Sequence, residues 1–168
     1  RSLCFVLQNV VRELFPDKIL VIDYSLPSGL YCEIREKEGQ YDGRPAVCPV
    51  SDGHIAEIRC RMREIVAADL PFRKVKMTPE EAVALFEANG QQEKINLLHS
   101  TGNLLCSVYF LDGQADTFYG PLVTSTGCLR TFDLMGFSKG FCLQCPMDGN
   151  SGKLTPMMEQ DKLAKALK

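Results

Sequence analysis

Cysteine is the residue type with the most chemical potential in this sequence. Eight are present, at positions 4, 32, 48, 60, 106, 128, 142 and 145. Cys142 and Cys145 form a Cys-x-x-Cys unit, the spacing that opens zinc and redox readings. A structural zinc site needs about four ligands, and no second Cys pair has matching spacing. The run Phe141–Cys145 reads as a strand, where residues three apart point to opposite faces. A redox pair would instead sit at a helix start. Structural cysteines are therefore the favoured reading, since free Cys in apolar runs behaves as a small hydrophobe. A reducing cytoplasm suits this usage better than a disulfide framework. The two histidines, His54 and His99, stand alone. His54 lies early in an expected helix, and His99 ends one, where a cation suits the helix dipole. Neither sits in a nucleophile pattern, so structural roles are expected. A second constellation is basic: Arg59 and Arg63, then Arg73, Lys74 and Lys76, a candidate contact patch for RNA. Its bland alternative is a solvated helix face, on which Glu57 and Arg61 are spaced for an i, i+4 pair.

Composition bounds what these residues can serve. The chain has 168 residues, 45% hydrophobic and 24% charged, as expected of a soluble globular protein of one domain. A chain of this size buries roughly 70% of its unfolded surface. The net charge of −2 gives no general electrostatic pull toward nucleic acid. No apolar run approaches the roughly 18 residues that span a bilayer, and no signal peptide is visible. No membrane partner is expected. The sequence reads as a piece of a longer protein.

The elements that must position the chemistry follow from periodicity. Leu3, Val6, Leu7, Val10, Val11 and Leu14 predict a helix over Ser2–Phe15 with one buried face. Lys18–Tyr24 and Leu30–Arg35 predict a hairpin about Pro27-Ser28-Gly29. Residues 36–49 read as a loop. A helix capped at Ser51 or Asp52 runs to about Ala68, followed by a short basic strand over Pro71–Met77. Thr78-Pro79-Glu80-Glu81 is a capping box with proline at the first helical position, opening a helix to Asn89. Glu93–His99 is a further short helix. Leu104–Leu111 is a strand entering an Asp112-Gly113 turn. Between Asp116 and Pro146 the sequence predicts strands cut by turns, with alternation from Leu129 to Met135. Residues 147–154 read as a loop. Thr155-Pro156 starts a last helix, so 1–155 is taken as the domain and 156–168 as a helix leading onward. The expected class is α+β, a mostly antiparallel sheet wrapped by helices.

The stretch from Asp116 also carries a family resemblance. It resembles the second additional, editing-type domain of threonyl-tRNA synthetase, shared with alanyl-tRNA synthetase. That family has Asp-x-Cys-x-Gly-Pro-His, a Thr/Gly turn, a Phe-x-Leu strand and a glycine turn. Asp116, Gly120, Pro121, Thr126, Gly127, Phe132, Leu134 and Gly140 fit it. The opening Arg1-Ser2-Leu3-Cys4-Phe5-Val6-Leu7 resembles the family's His-Ser-x-x-His-Leu-Leu, and Ser28–Glu33 resembles its aromatic hairpin. In the active family, two His one helical turn apart join the later Cys and His to hold zinc or handle an ester-linked substrate. Arg1, Phe5, Phe118 and Leu122 occupy those four positions here. Phe and Leu can neither bind a metal nor move a proton, so the resemblance implies a degenerate site with no metal and no catalytic residues. A rival reading keeps a deacylase with relocated groups at Cys128, Cys142 and His99.

A closer resemblance is to the copy of this domain that precedes the kinase domain of bacterial multidomain uridine (nucleoside) kinases. RSLCFVLQNVVRELFP, the LPF at residues 70–72 and the YGPLV, STG and FDL segments carry it. It implies a non-catalytic accessory or regulatory domain, with ATP and Mg²⁺ held by the downstream kinase domain. The implied partner is that kinase domain, with tRNA or a nucleoside as further candidates. An RNA-binding or editing domain and a purely structural or oligomerising module are the alternatives, and the oligomeric state is open. Gly149-Asn150-Ser151-Gly152-Lys153-Leu154 lacks the spacing and final Ser/Thr of a phosphate-binding loop.

Overall fold

The computed structural model describes residues 1–37, 45–101, 105–118, 120–146 and 154. The expected loop over 147–154 lies almost wholly outside them, and the expected last helix entirely so.

The class is α+β, as the sequence implies, but the strands divide into two antiparallel sheets. The first contains β1 (Lys18–Leu26), β2 (Gly29–Glu36), β8 (Gly140–Gln144) and β7 (Asp133–Phe137) in that order, with β3 (Val47–Cys48) also on β2. The second is β4 (Arg73–Met77), β5 (Cys106–Leu111) and β6 (Gln114–Thr117). The stretch from Asp116 to Pro146 is therefore shared between them. The residues from Leu129 to Phe132, expected to be strand, precede β7. The chain reaches β7 through a 3-10 turn at Thr126–Cys128, because Thr126 is drawn inward. Its hydroxyl donates to the Ile65 carbonyl at 2.7 Å and accepts from the Leu70 amide at 2.8 Å. The stretch expected to be a loop before Pro49 contains β3, which pairs with Ile34 and Arg35.

The β2–β8 pairing brings two backbones close. A Cβ on Gly29 would stand 2.1 Å from the Leu143 carbonyl oxygen, and one on Gly140 2.1 Å from that of Cys32. Glycine at both positions permits this approach.

Helix α1 (Ser2–Leu14) is central. One apolar face was expected, yet Ser2, Cys4, Phe5 and Asn9 are buried as well. Only the short stretch around Gln8 and Arg12–Leu14 stays partly open. A helix buried around most of its circumference must be packed on several sides. Here α2 (Asp52–Ala67), the inner face of the first sheet and Tyr109 and Leu111 of β5 share one core with it. That common core joins the two sheets. Ser51 caps α2, accepting from the His54 amide. A second core lies between β4–β6 and the pair α3 (Pro79–Ala88) and α4 (Gln92–Thr101), with Ala82, Phe86, Ile95, Leu98, Val108 and Ala115 buried. The Thr78–Glu81 capping box forms as its sequence requires.

Candidate functional site

The start of α1 places residues 1 and 5 one turn apart, and the end of β6 leads through Phe118 to residues 120–123 beside that turn. The Ser2 hydroxyl accepts from the Val123 amide at 3.0 Å and ties the two segments together. Phe5 and Phe118, dispersed in sequence, are thereby brought together, with Arg1 at Gly120 and Leu122 against the main core. The Phe5 and Phe118 ring centroids are 5.3 Å apart. Phe5 also meets Phe72 at 5.9 Å, and Phe118 meets Tyr109 edge-on at 6.4 Å. Phe5 is fully buried, and Leu122 packs against the main core. Arg1 lies over the backbone of Gly120, where an added Cβ would come within 3.0 Å of its Nη1. Tyr109 donates its hydroxyl proton to the Gly120 carbonyl at 3.3 Å. Three of the four positions are apolar, and the fourth is a cation. Together they supply no metal ligand and no acid–base group.

Charge survives beside this aromatic cluster. Asp116 has no exposed surface, and a buried carboxylate needs cations or donors. Lys94 Nζ lies 2.8 Å from Oδ1 and Arg12 Nη2 lies 3.8 Å from Oδ2. The Thr117 amide donates to Oδ1 at 2.7 Å. The Gln91 side-chain amide lies 2.8 Å from the Arg12 guanidinium, an arrangement satisfied when its oxygen faces Arg12. Lys94 Nζ also stands 5.9 Å above the Phe118 ring. Register puts Lys74, Tyr109 and Asp116 in one cross-strand row, and Lys74 Nζ lies 5.7 Å from the Tyr109 ring. Lys74 and Lys94 thus stand near the Tyr109 and Phe118 rings, and Arg1 lies over the neighbouring Gly120 backbone. Lys94, Arg12 and Gln91 did not stand out in the sequence. The signal available was Asp116 itself, an acid on a strand that also carries Ala115, and it does not say which distant cation answers it.

The expected basic patch lies on two elements. Arg59 and Arg63 are on α2, where Arg59 meets Asp133 at 3.4 Å. Arg73, Lys74 and Lys76 are on β4 of the second sheet, with Arg73 5.3 Å from the Phe110 ring. Arg61 does not pair with Glu57. Packing of α1 against α2 offers it Glu13 at 3.1 Å, and Glu64 joins at 2.9 Å. The relocated-site residues fall on separate elements: Cys128 is exposed on the 3-10 turn, Cys142 is buried on β8, and His99 is exposed on α4. His54 is exposed and stands edge-on to Phe15.

Burial pushes the thiols of Cys4, Cys32, Cys142 and Cys145 above their ordinary range, with neighbouring thiols adding to the rise at Cys32, Cys142 and Cys145. Raised thiols are poor nucleophiles and poor metal ligands. Among the described residues no group of three or more His, Cys, Asp or Glu is placed to hold a metal ion. Among the same residues no helix is long and apolar enough to cross a membrane.

No family model matches the chain. Individual proteins do. The chain is 33% identical over 135 residues, 80% of its length, to a threonine–tRNA ligase of Acidovorax sp. (strain JS42). It is 30% identical over 135 residues to that of Methylobacillus flagellatus, and 28% over 140 residues to that of Nitratidesulfovibrio vulgaris (strain Miyazaki F). It spans about a fifth of the length of each of these relatives. Over most of its length, then, the chain is homologous to a single segment of threonine–tRNA ligases, and it is a threonyl-tRNA-synthetase-like domain.

Proposed function

We propose that this domain is a non-hydrolytic descendant of a synthetase editing domain, serving as an accessory or regulatory domain of an ATP-dependent uridine (nucleoside) kinase. The observation that carries the first half is the Phe5–Phe118 contact at 5.3 Å, which fills the space between α1 and the segment after β6. Hydrolysis of an ester needs a positioned base or a metal-activated water, and Arg1, Phe5, Phe118 and Leu122 supply neither. The second half rests on the likeness of RSLCFVLQNVVRELFP and the YGPLV, STG and FDL segments to the domain preceding such kinases. Phosphoryl transfer needs a phosphate cradle and Mg²⁺ ligands. In this reading both belong to a downstream kinase domain, which would bind ATP and Mg²⁺. The domain's own partner is that kinase domain.

A second reading, binding of a tRNA end without hydrolysis, is favoured by Lys74 and Lys94 beside the Tyr109 and Phe118 rings and by Arg1 over Gly120. One experiment separates them. Nucleoside kinase activity of the parent protein, with and without residues 1–168, is measured in the presence and absence of tRNA. A change of kinetics on deletion supports the accessory role, and a tRNA response lost on deletion supports the second reading. Unchanged kinetics, assembly and ligand response would overturn both.

A further inference from the structure

The helices α1 and α2 cover one face of the first sheet, where Cys32, Ile34, Leu134, Phe141 and Leu143 enter their core. Register sets Tyr24, Tyr31, Cys142 and Met135 side by side in one row across β1, β2, β8 and β7. Tyr31 and Cys142 alternate with Cys32 and Phe141 along β2 and β8, so this row lies on the opposite, outer face. A sheet face turned to water shows its side chains. Here Tyr31 is 1% exposed and Cys142 fully buried, and Glu33 and Gln144 on the same face are buried too. Tyr24 stacks on Tyr31 at 4.9 Å, and Phe137 meets it edge-on at 5.9 Å. These rings stand in one layer with Tyr31 and cannot roof it. The Tyr24 hydroxyl is also shut off from water, with no hydrogen-bond partner among the described residues. Enclosure without a partner means that the cover is apolar at that point. Met135, at the β7 end of the row, stays 44% exposed, so the cover spans β1, β2 and β8. Among the described elements none supplies it, since α1 and α2 hold the inner face and α3 and α4 the second sheet. Leu154, beyond the end of β8, is itself partly buried.

We propose that residues 154–158, Leu-Thr-Pro-Met-Met, cross this outer face as a strap over Tyr24, Tyr31 and Cys142, with methionine thioethers against the tyrosine rings. The strap carries no charge, as an apolar cover requires. Methionine fills irregular gaps and makes favourable sulfur–ring contacts. Residues 147–153 can reach roughly 25 Å when extended, several strand spacings, so the chain can turn back over the sheet from the end of β8. Residues 38–44, between β2 and β3, read Glu-Gly-Gln-Tyr-Asp-Gly-Arg and are too polar for the same place. The occupant of the face is thus the chain itself, which leaves it closed to a second copy or to RNA. The strap is separate from the aromatic cluster on α1 and does not depend on its reading.

The test uses the 168-residue chain with its methionine methyl groups labelled for NMR. Cross-peaks are expected from the Met157 or Met158 methyl to the Tyr24 and Tyr31 rings. Methyl signals without them would overturn the proposal, as would cross-peaks that arise only between two differently labelled copies. Alkylation of the native protein gives a second readout. In the Met157→Glu/Met158→Glu variant, iodoacetamide should reach Cys142 about tenfold faster or more, because the local cover is lost. Cys4 and Cys32, on the inner face, should stay protected. Unchanged protection of Cys142 would overturn the proposal, and so would its exposure by Tyr41→Glu in its place. A variant that opens all three thiols has unfolded as a whole, and the methyl contacts of the parent chain then decide alone.

Discussion

Phe5 on α1 and Phe118 after β6, 113 positions apart in the sequence, hold their ring centroids 5.3 Å apart. The contact joins the central helix to the segment that follows the second sheet. Phe5→Ala should cost ~3–5 kcal/mol, as expected for a fully buried aromatic. A double-mutant cycle with Phe118→Ala should show a coupling of ~0.5–1.5 kcal/mol. Urea denaturation followed by circular dichroism measures both. Zero coupling would mean that the rings merely sit near each other.

Asp116 holds Lys94 and Arg12 with no access to water of its own. Removing the acid by Asp116→Ala leaves two cations facing a void and should cost ~3–5 kcal/mol. Denaturation at neutral pH checks it. A cost below ~1 kcal/mol would show the cluster to be screened by water, as surface pairs are.

Thr126 joins α2 to the turn before β7 through both hydrogen bonds of its hydroxyl. Thr126→Val keeps the shape and removes both bonds, leaving the Leu70 amide without that acceptor. The expected loss is ~1–3 kcal/mol, with hydrogen exchange accelerated first at Leu70. Unchanged exchange there would contradict the assignment.

The thiols divide by burial. Cys60 and Cys128 are exposed, whereas Cys4, Cys32 and Cys142 are buried with thiols pushed upward. A raised thiol holds less thiolate at any given pH, so its alkylation needs more alkaline solution. Iodoacetamide at mildly alkaline pH should mark Cys60 and Cys128 first and the buried three only after denaturation. Mass spectrometry reads the order. Early labelling of Cys142, or its protection within a Cys142–Cys145 disulfide, would contradict the structural reading.

Local signals were the most legible part of this chain. The Thr78–Glu81 capping box, the Ser51 cap and the strands flanking Pro27-Ser28-Gly29 follow from residues a few positions apart, and they form as local chemistry dictates. The division into two sheets was not legible, because alternation says which side of a strand is apolar and not which strand lies beside it. The same limit hid the rest of the site. Phe118 and Leu122 could be picked out by their place in a motif, but Lys94 and Arg12 reach Asp116 only through tertiary packing. Arg61 shows the converse: its i, i+4 partner Glu57 was plausible, yet Glu13 on the neighbouring helix took the contact.

We propose that packing stands in place of ester chemistry between α1 and the segment after β6. The most direct measurement is deacylation of a mischarged tRNA by the 168-residue chain, with zinc supplied and omitted. Hydrolysis at the uncatalysed rate is expected in both conditions, unchanged by Cys128→Ser, Cys142→Ser or His99→Ala. Turnover above that rate, abolished by any one of those substitutions or dependent on one zinc per chain, would contradict it.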